Sequence, residues 1–495
     1  MHAYRVAAGV LASTLTGVAC GDSGGRDTAS ASATDSNATP ATPATTTPTP
    51  TDTGVSASQT DDDDGTNSNS QGNTTAGTTM GVVTATGPTS TGPDLTTSGT
   101  TQSTSTTQGT NTLTDPSTGT STGDPCEGGG GLEFSYLWVA NTSEGSISKI
   151  NTETLMEEGR YYADPNPPAA SSSRTSVNID GHYVVVSNRG TGTVSKFAAN
   201  ITDCVDKNGN GTIETSQNGA DLLPWGTDEC LLWNTAVNPP PDSYTHGPRG
   251  TAWAPGDFNQ QTCEWDNQRV WVGWMSAPGL GHMGSFDGET GQQLDTVDLP
   301  NWSLNVNYAP YGAAADGAGH VWFTAVYEEL ARIDTTTLEL KRWPGGGIQF
   351  YGMTVDGKGN PWFGPYNNGN VAYFDAATET FHEIPGTNEN HRGVAVDGGG
   401  MVWVASNPGG THGCGLNQID SNTNTFVQFH TFPQCGTPVG VSIDVDGYVW
   451  MVDYSGWAYR IDPNTYEKSL VMIPGDHYTY SDMTGGGLVG AVMPG

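Results

Sequence analysis

Three groups of residues in this chain could do chemistry. The first is a set of cations and rings placed just ahead of glycines: Arg249, Tyr311, Tyr351 and Arg392, with His246 and His391 close by and Arg174 one residue off that register. A guanidinium is a planar fork of donors suited to a carboxylate or phosphate, and tyrosine adds an apolar face with a polar tip. The second is His391, whose side chain titrates near neutrality and so suits a general base. The third is Asp206-Lys-Asn208-Gly-Asn210-Gly-Thr212-Ile-Glu214-Thr-Ser-Gln217. Oxygen side chains at positions 1, 3 and 5, a glycine at 6 and a carbonyl at 7 follow the calcium-loop pattern. Position 12 is Gln217 instead of a bidentate Glu, leaving Glu214, Asp203 or a distant carboxylate to complete the shell. Each group has a plainer reading as well. The arginines would pair with aspartates of neighbouring repeats, the histidine would bond near a turn, and the loop would be a polar Asn-Gly turn without metal.

The elements that must position these residues are repeats. Asp316-Gly-Ala-Gly-His-Val-Trp322, Asp356-Gly-Lys-Gly-Asn-Pro-Trp362, Asp397-Gly-Gly-Gly-Met-Val-Trp403 and Asp444-Val-Asp-Gly-Tyr-Val-Trp450 align without gaps. Each follows a glycine and a short alternating strand, and each leads to an apolar residue and Asp: Ile333-Asp334, Phe374-Asp375, Ile419-Asp420 and Ile461-Asp462. Weaker copies surround Trp138, Val185 and Trp271. The seven anchors, 138, 185, 271, 322, 362, 403 and 450, lie about 40–50 residues apart except between 185 and 271, where an insertion at about 200–265 is expected. Short strands joined by Asp-Gly and Asn-Thr turns make four-stranded meanders, and seven of them close into an all-β, seven-bladed propeller. In the turns, Asp bonds back to the amides and Gly supplies positive φ. Nothing ahead of Trp138 supplies an inner strand. Tyr480-Ser-Asp-Met-Thr-Gly485 with Leu488-Val489 is therefore expected to be a C-terminal strand that completes the first blade. The residue ahead of each inner-strand glycine then faces the channel entrance.

Asp-x-x-Gly-x-x-Trp-Phe/Val followed by Ile-Asp and a Thr-containing turn resembles the blades of the virginiamycin B (streptogramin) lyase family, and is similar to NHL and gluconolactonase-like propellers. The resemblance covers nearly all of residues 133–490 outside the insertion. It implies elimination chemistry that opens a cyclic depsipeptide, with Mg2+, a histidine base and acidic ligands at the channel mouth. Glu389-Asn-His391 resembles that family's Glu-x-His element, making Glu389 and His391 the catalytic candidates under this reading. The family's Trp-Phe-Thr-Glu strand ends here in Ala325, and Pro365 and Ser406 stand at the corresponding places.

Residues 1–20 read as an export signal, with Arg5 ahead of an apolar stretch and Gly17-Val18-Ala19-Cys20 resembling a lipobox. Cys20 is then the lipidation site; ordinary cleavage nearby is the alternative. Residues 21–125 hold no aromatic residue, cysteine or lysine, and cannot bury enough apolar surface to offset the entropy of ordering. They read as a disordered linker ahead of a folded unit at 126–495. Six cysteines remain, suggesting three disulfides in an exported protein. Cys414 with Cys435 brackets one repeat; Cys204 with Cys230 and Cys126 with Cys263 follow by elimination. A net charge of −35 argues against nucleic acid. The expectation is a monomeric lipoprotein of the cell envelope, touching membrane only through its lipid. It would bind a small molecule or a cell-surface protein at the channel mouth, with calcium as a structural ion. The alternative is a metal-dependent lyase or lactonase-like hydrolase, which alone would need Mg2+.

Overall fold

The computed structural model describes residue 126, residues 134–327 and residues 329–493. The export signal, Cys20 and the linker at 21–125 lie outside the described residues. Six four-stranded antiparallel sheets and one three-stranded sheet follow one another along the chain. The three-stranded sheet spans Tyr136–Asn141, Ser146–Asn151 and Glu157–Tyr162 and forms blade 1. The inner strands of blades 2 to 7 are Ser172–Val177, Thr251–Ala254, Ala313–Ala315, Gly352–Val355, Asn390–Val396 and Pro438–Ile443.

The repeated aspartate does two jobs. Asp316 Oδ1 accepts from the N–H groups of Ala318 and His320, both at 2.9 Å, which shapes the turn while Gly319 takes φ +84°. Its Oδ2 accepts the indole N–H of Trp322 at 2.8 Å. Asp356 with Trp362 (2.9 Å), Asp397 with Trp403 (2.9 Å) and Asp444 with Trp450 (2.8 Å) repeat the arrangement. This pairing keeps the indole N–H satisfied while the ring is buried, as a polar tip inside a core requires. The rings pack between blades: Trp322 of blade 4 meets Phe374 of blade 5 with centroids 5.8 Å apart. Blade 3, a weaker copy in sequence, lacks such a partner, and the Trp271 indole N–H is buried without an acceptor.

The C-terminal tail closes the ring beside blade 1. Thr142 N–H donates to Asp476 O and Trp138 N–H to Met483 O, both at 2.9 Å, and Asn141 bridges His477. The tail pairs through these separate contacts instead of a continuous ladder. Leu488 and Val489, expected in the strand, lie in a helix, Gly486–Val492. Gly485 at φ +91° turns the chain, and Asp482 accepts from the N–H groups of Gly485 and Leu488, both at 2.8 Å, which favours a helical start over an extended one. The helix lies against the inner strands of blades 4 to 7 at the end of the channel where the Asp-x-x-Gly turns lie.

The stretch at 200–265 is not one insertion. It holds a loop, the outer strand of blade 2 (Leu231–Ala236), the inner strand of blade 3, and a hairpin of Asp257–Asn259 with Glu264–Asp266. Leu231–Ala236 pairs with Thr193–Ala198 and Thr251–Ala254 with Arg269–Ala277, so both blades remain complete around the additions. All three expected disulfides are present: Cys126–Cys263, Cys204–Cys230 and Cys414–Cys435. Three bridges place the protein in an oxidising, extracytoplasmic compartment. Among the described residues no helix is long and apolar enough to cross a membrane.

Candidate functional site

The inner strands begin at one mouth of the channel, and their first residues converge there. Arg174, Arg249, Tyr311, Tyr351 and Arg392 meet Tyr478 and Tyr480 of the tail and Arg189, which follows the second strand of blade 2. Arg174 reaches this level, despite its offset in sequence, through a bulge between Ser172 and Arg174. A bulge inserts one residue and re-aims the side chain after it. A second bulge, between His391 and Val394, carries Arg392. The guanidinium of Arg174 stands 4.0 Å from the centroid of the Tyr480 ring and 4.5 Å from that of Tyr311. Arg189 lies 4.5 Å from the Tyr478 ring, Arg249 5.3 Å from Tyr244, and Arg392 5.4 Å from Tyr351. Contacts of this kind favour a cation over the negative face of a ring.

The arginines are buried, Arg174 to 1% exposure and Arg249 to 2%. Arg392 donates to the hydroxyls of Tyr480 (3.0 Å) and Tyr351 (3.3 Å), and Arg189 to Ser171 Oγ (2.8 Å). Arg174 Nε and Nη2 and Arg249 Nε and Nη1 have no acceptor. Among the described residues no carboxylate forms an ion pair with Arg174, Arg189 or Arg249. The phenols respond to this field. Tyr311 and Tyr351 hydroxyls both contact the Tyr478 oxygen. Burial pushes the Tyr311 and Tyr351 phenols well above the usual range. For Tyr478 burial acts upward too, but Arg174, Arg189 and Arg392 together outweigh it and bring the phenol down to about 8. Behind the rings lies a cavity of only about 10 Å3 lined by Arg174, Tyr351 and Tyr480, and further down the channel one of about 40 Å3.

His246 sits nearby, on the short turn that carries Tyr244. Its Nδ1 is held by Asp242, while Tyr244 O accepts from Arg249 Nη2 at 3.4 Å.

Glu389 and His391 make separate hydrogen bonds. His391 is fully buried, its Nε2 bonds Thr387 O at 2.6 Å, and burial lowers its pKa to about 4. His477 of the tail has the same arrangement: full burial, Nε2 bonded to the carbonyl four residues upstream (Ile473 O, 2.8 Å), and a pKa lowered by burial to about 4. His391, on the inner strand of blade 6, and His477, in the tail beside blade 1, face matching positions of the second strands, Ser406 and Asn141. Glu389 instead receives His412, whose backbone N–H and Nδ1 lie 2.6 and 2.7 Å from Oε1. Glu389 Oε2 and His391 Nδ1 are buried without partners. Magnesium needs several oxygens at near-octahedral positions. Among the described residues Glu389, His391 and a third carboxylate or histidine do not bring their ligand atoms close enough together to share one ion, and the donor set does not fit magnesium.

In the loop closed by Cys204–Cys230, Asp206 accepts the backbone N–H groups of Gly209 (2.6 Å), Gly211 (2.8 Å) and Asn210 (3.2 Å). The Gly211 N–H leads in holding its carboxyl below the usual range. Glu214 accepts from the side-chain amides of Asn208 (2.7 Å) and Asn210 (2.6 Å), and Asn210 Oδ1 takes the Thr212 N–H (2.8 Å). Gln217 is turned away toward Asp221 and Thr215. Asp206, Asn208, Asn210 and Glu214 therefore face one another around a glycine bend, a set of hard oxygens that fits calcium.

Sequence reasoning missed Arg189, Tyr478, Tyr480 as a mouth residue, and His412. The tail was legible as an inner strand, so its alternate residues Tyr478 and Tyr480 could have been placed beside the other strand starts. Arg189 and His412 lie in loops that carry no repeat signal.

No family model and no curated protein matches the chain. Among solved structures, one titled as a streptogramin B lyase is similar at 18% identity over 46% of this chain and 70% of that one, with a TM-score of 0.37. A functionally unknown protein from Desulfotomaculum acetoxidans is similar at 13% over 69% and 96%, with a TM-score of 0.47. A catalytically inactive virginiamycin B lyase from Staphylococcus aureus with quinupristin is similar at 12% over 61% and 84%, with a TM-score of 0.43. These are likenesses of fold at low identity.

Proposed function

We propose that the protein is an exported propeller that binds a small anion at the arginine and tyrosine mouth of its channel. One observation carries this: Arg174 and Arg249 bury guanidinium N–H groups that have no acceptor. An uncompensated buried cation is costly, and it is retained where a ligand completes it. A cell-surface protein partner would reach the same groups with a carboxylate side chain. The lipid at Cys20 would hold the propeller at the envelope through the linker, and mass spectrometry of the mature N-terminus tests that anchor. Thermal-shift titration with acetate tests the anion site. Stabilisation that disappears in Arg174→Gln and Arg249→Gln is expected, and a melting temperature indifferent to acetate and equally to benzoate would sink the reading.

A second reading, ring opening of a cyclic ester at Glu389 and His391, draws on their two orphaned atoms. Depsipeptide or lactone opening assayed with Mg2+ and with EDTA decides it. Turnover lost in His391→Ala would support it. The loop at Asp206, Asn208, Asn210, Thr212 and Glu214 is proposed as a structural calcium site.

A further inference from the structure

Tyr478 differs from the other mouth aromatics. It comes from the tail, as Tyr480 does, and not from a repeat. Tyr311, Tyr351 and Tyr480 are buried, whereas Tyr478 remains partly exposed. Its oxygen contacts the Tyr311 and Tyr351 hydroxyls, and its ring lies 4.5 Å from the Arg189 guanidinium and 5.9 Å from that of Arg174. The cavity lined by Arg174, Tyr351 and Tyr480, about 10 Å3, is room for about one water molecule. A ligand larger than water therefore needs one of the rings at the mouth to move, and Tyr478 is the partly exposed one among Tyr311, Tyr351, Tyr478 and Tyr480. A place shaped for a phenol accepts a planar ring with an oxygen at its end.

We infer that Tyr478 is a gate that fills the site as an internal stand-in. The ligand that displaces it is a small aromatic acid, whose ring takes the place of the Tyr478 ring and whose anionic oxygens meet Arg174 and Arg249. This rests on the anion-binding reading above. Opening needs rotation of one side chain, because the backbone on both sides is tied: Thr142 N–H to Asp476 O at 2.9 Å before it, and Thr175 N–H to Tyr480 O at 3.4 Å after it. The groups that face Tyr478 among the described residues are Arg174 and Arg189 of blade 2, Arg249 ahead of blade 3, Tyr311 and Tyr351 ahead of blades 4 and 5, Arg392 of blade 6, and Tyr480. With its phenol brought down to about 8, Tyr478 becomes a stronger counter-ion as pH rises, so it competes better with a ligand above that pH.

Calorimetric titration of the full mature chain with benzoate and with acetate tests the gate. Benzoate is expected to bind more tightly than acetate, and about tenfold more tightly again to Tyr478→Ala. Between pH 7 and about 9, where benzoate keeps its charge, wild-type affinity is expected to fall, and the fall to be missing in Tyr478→Phe. The Phe variant keeps the ring, so the pH profile decides the matter even where Tyr478→Ala fails to fold. Acetate binding as tightly as benzoate, or a pH profile unchanged in Tyr478→Phe, would overturn the gate and the aromatic class while leaving the anion site standing. Neither anion binding to any folded variant would overturn both.

Discussion

The two ends of the channel are built from the same strands and follow opposite rules. At one end the repeat supplies an aspartate in four blades, and every such aspartate satisfies both its turn amides and a buried indole N–H. At the other end the residues differ from blade to blade, being arginine, tyrosine, histidine or valine. Buried atoms without partners gather there, on Arg174, Arg249, His246, His391, Glu389 and His477. Repetition with full satisfaction marks what every blade needs to fold. Variation with unmet donors marks what the whole ring holds in common, and the proposed anion, shared by several blades, would meet it.

Substitution at the mouth should expose the contrast most sharply. Arg174→Gln removes a donor fork aimed at the ligand and also removes a buried, unpaired charge. Anion affinity is expected to fall about 100-fold, in the range of 2–3 kcal/mol for a charged hydrogen-bond donor, while the melting temperature holds or rises. Calorimetry and melting on the same sample check both, and a destabilised variant with intact binding would reverse the assignment of the two ends. At the other end Asp356→Ala deprives the N–H groups of Lys358 and Asn360 and the indole of Trp362 of their acceptor. A loss of about 2–3 kcal/mol is expected, from leaving a buried donor unsatisfied, with anion affinity unchanged.

The mouth-side histidines test whether an unrepeated residue is always functional. His391 and His477 are neutral in the fold, each with its pKa lowered by burial to about 4 from the ordinary 6.5 of a histidine. The unfolded chain therefore binds more protons between these values. Each residue's contribution is whole above about pH 6.5 and is lost as pH falls toward about 4, roughly 3 kcal/mol apiece. Denaturant melts at pH 7 and 5 should show this loss, and His477→Gln and His391→Gln should each flatten it by a similar amount. Equal effects would make His391 a building residue like its twin. An effect at His477 alone would set His391 apart and favour the catalytic reading.

Much of the fold was legible because it repeats. The Asp-x-x-Gly-x-x-Trp units fixed blade number and turn chemistry, and the missing first inner strand pointed to the tail. The channel mouth was half legible. Four strand starts and Arg174 fell out of the register, since the residue ahead of an inner-strand glycine has only one direction to face. Arg189 and His412 escaped because loops carry no period, although His412, 23 residues on, bonds the candidate Glu389. The helix at Gly486–Val492 was mistaken for strand because Leu488-Val489 is too short an apolar run to fix a period.

The loop at residues 206–214 sharpens the comparison from the side. It is unrepeated, like the mouth, yet its donors are met internally: Asp206 takes three backbone N–H groups and Glu214 takes two amides. Calcium would replace the amide contacts to Glu214 with oxygen ligation and leave the blades untouched, so its effect should be the smallest of these. With the ion at about 100 times its dissociation constant, linkage allows about 2.7 kcal/mol at most, and less is expected where the loop frays apart from the ring. A rise of a few degrees in melting temperature with calcium, reversed by chelator and lost in Asp206→Ala, is the expected outcome. A melting curve indifferent to calcium would make the loop a self-satisfied turn held by Cys204–Cys230, and would leave the mouth, with the unpaired N–H groups of Arg174 and Arg249, as the proposed binding site.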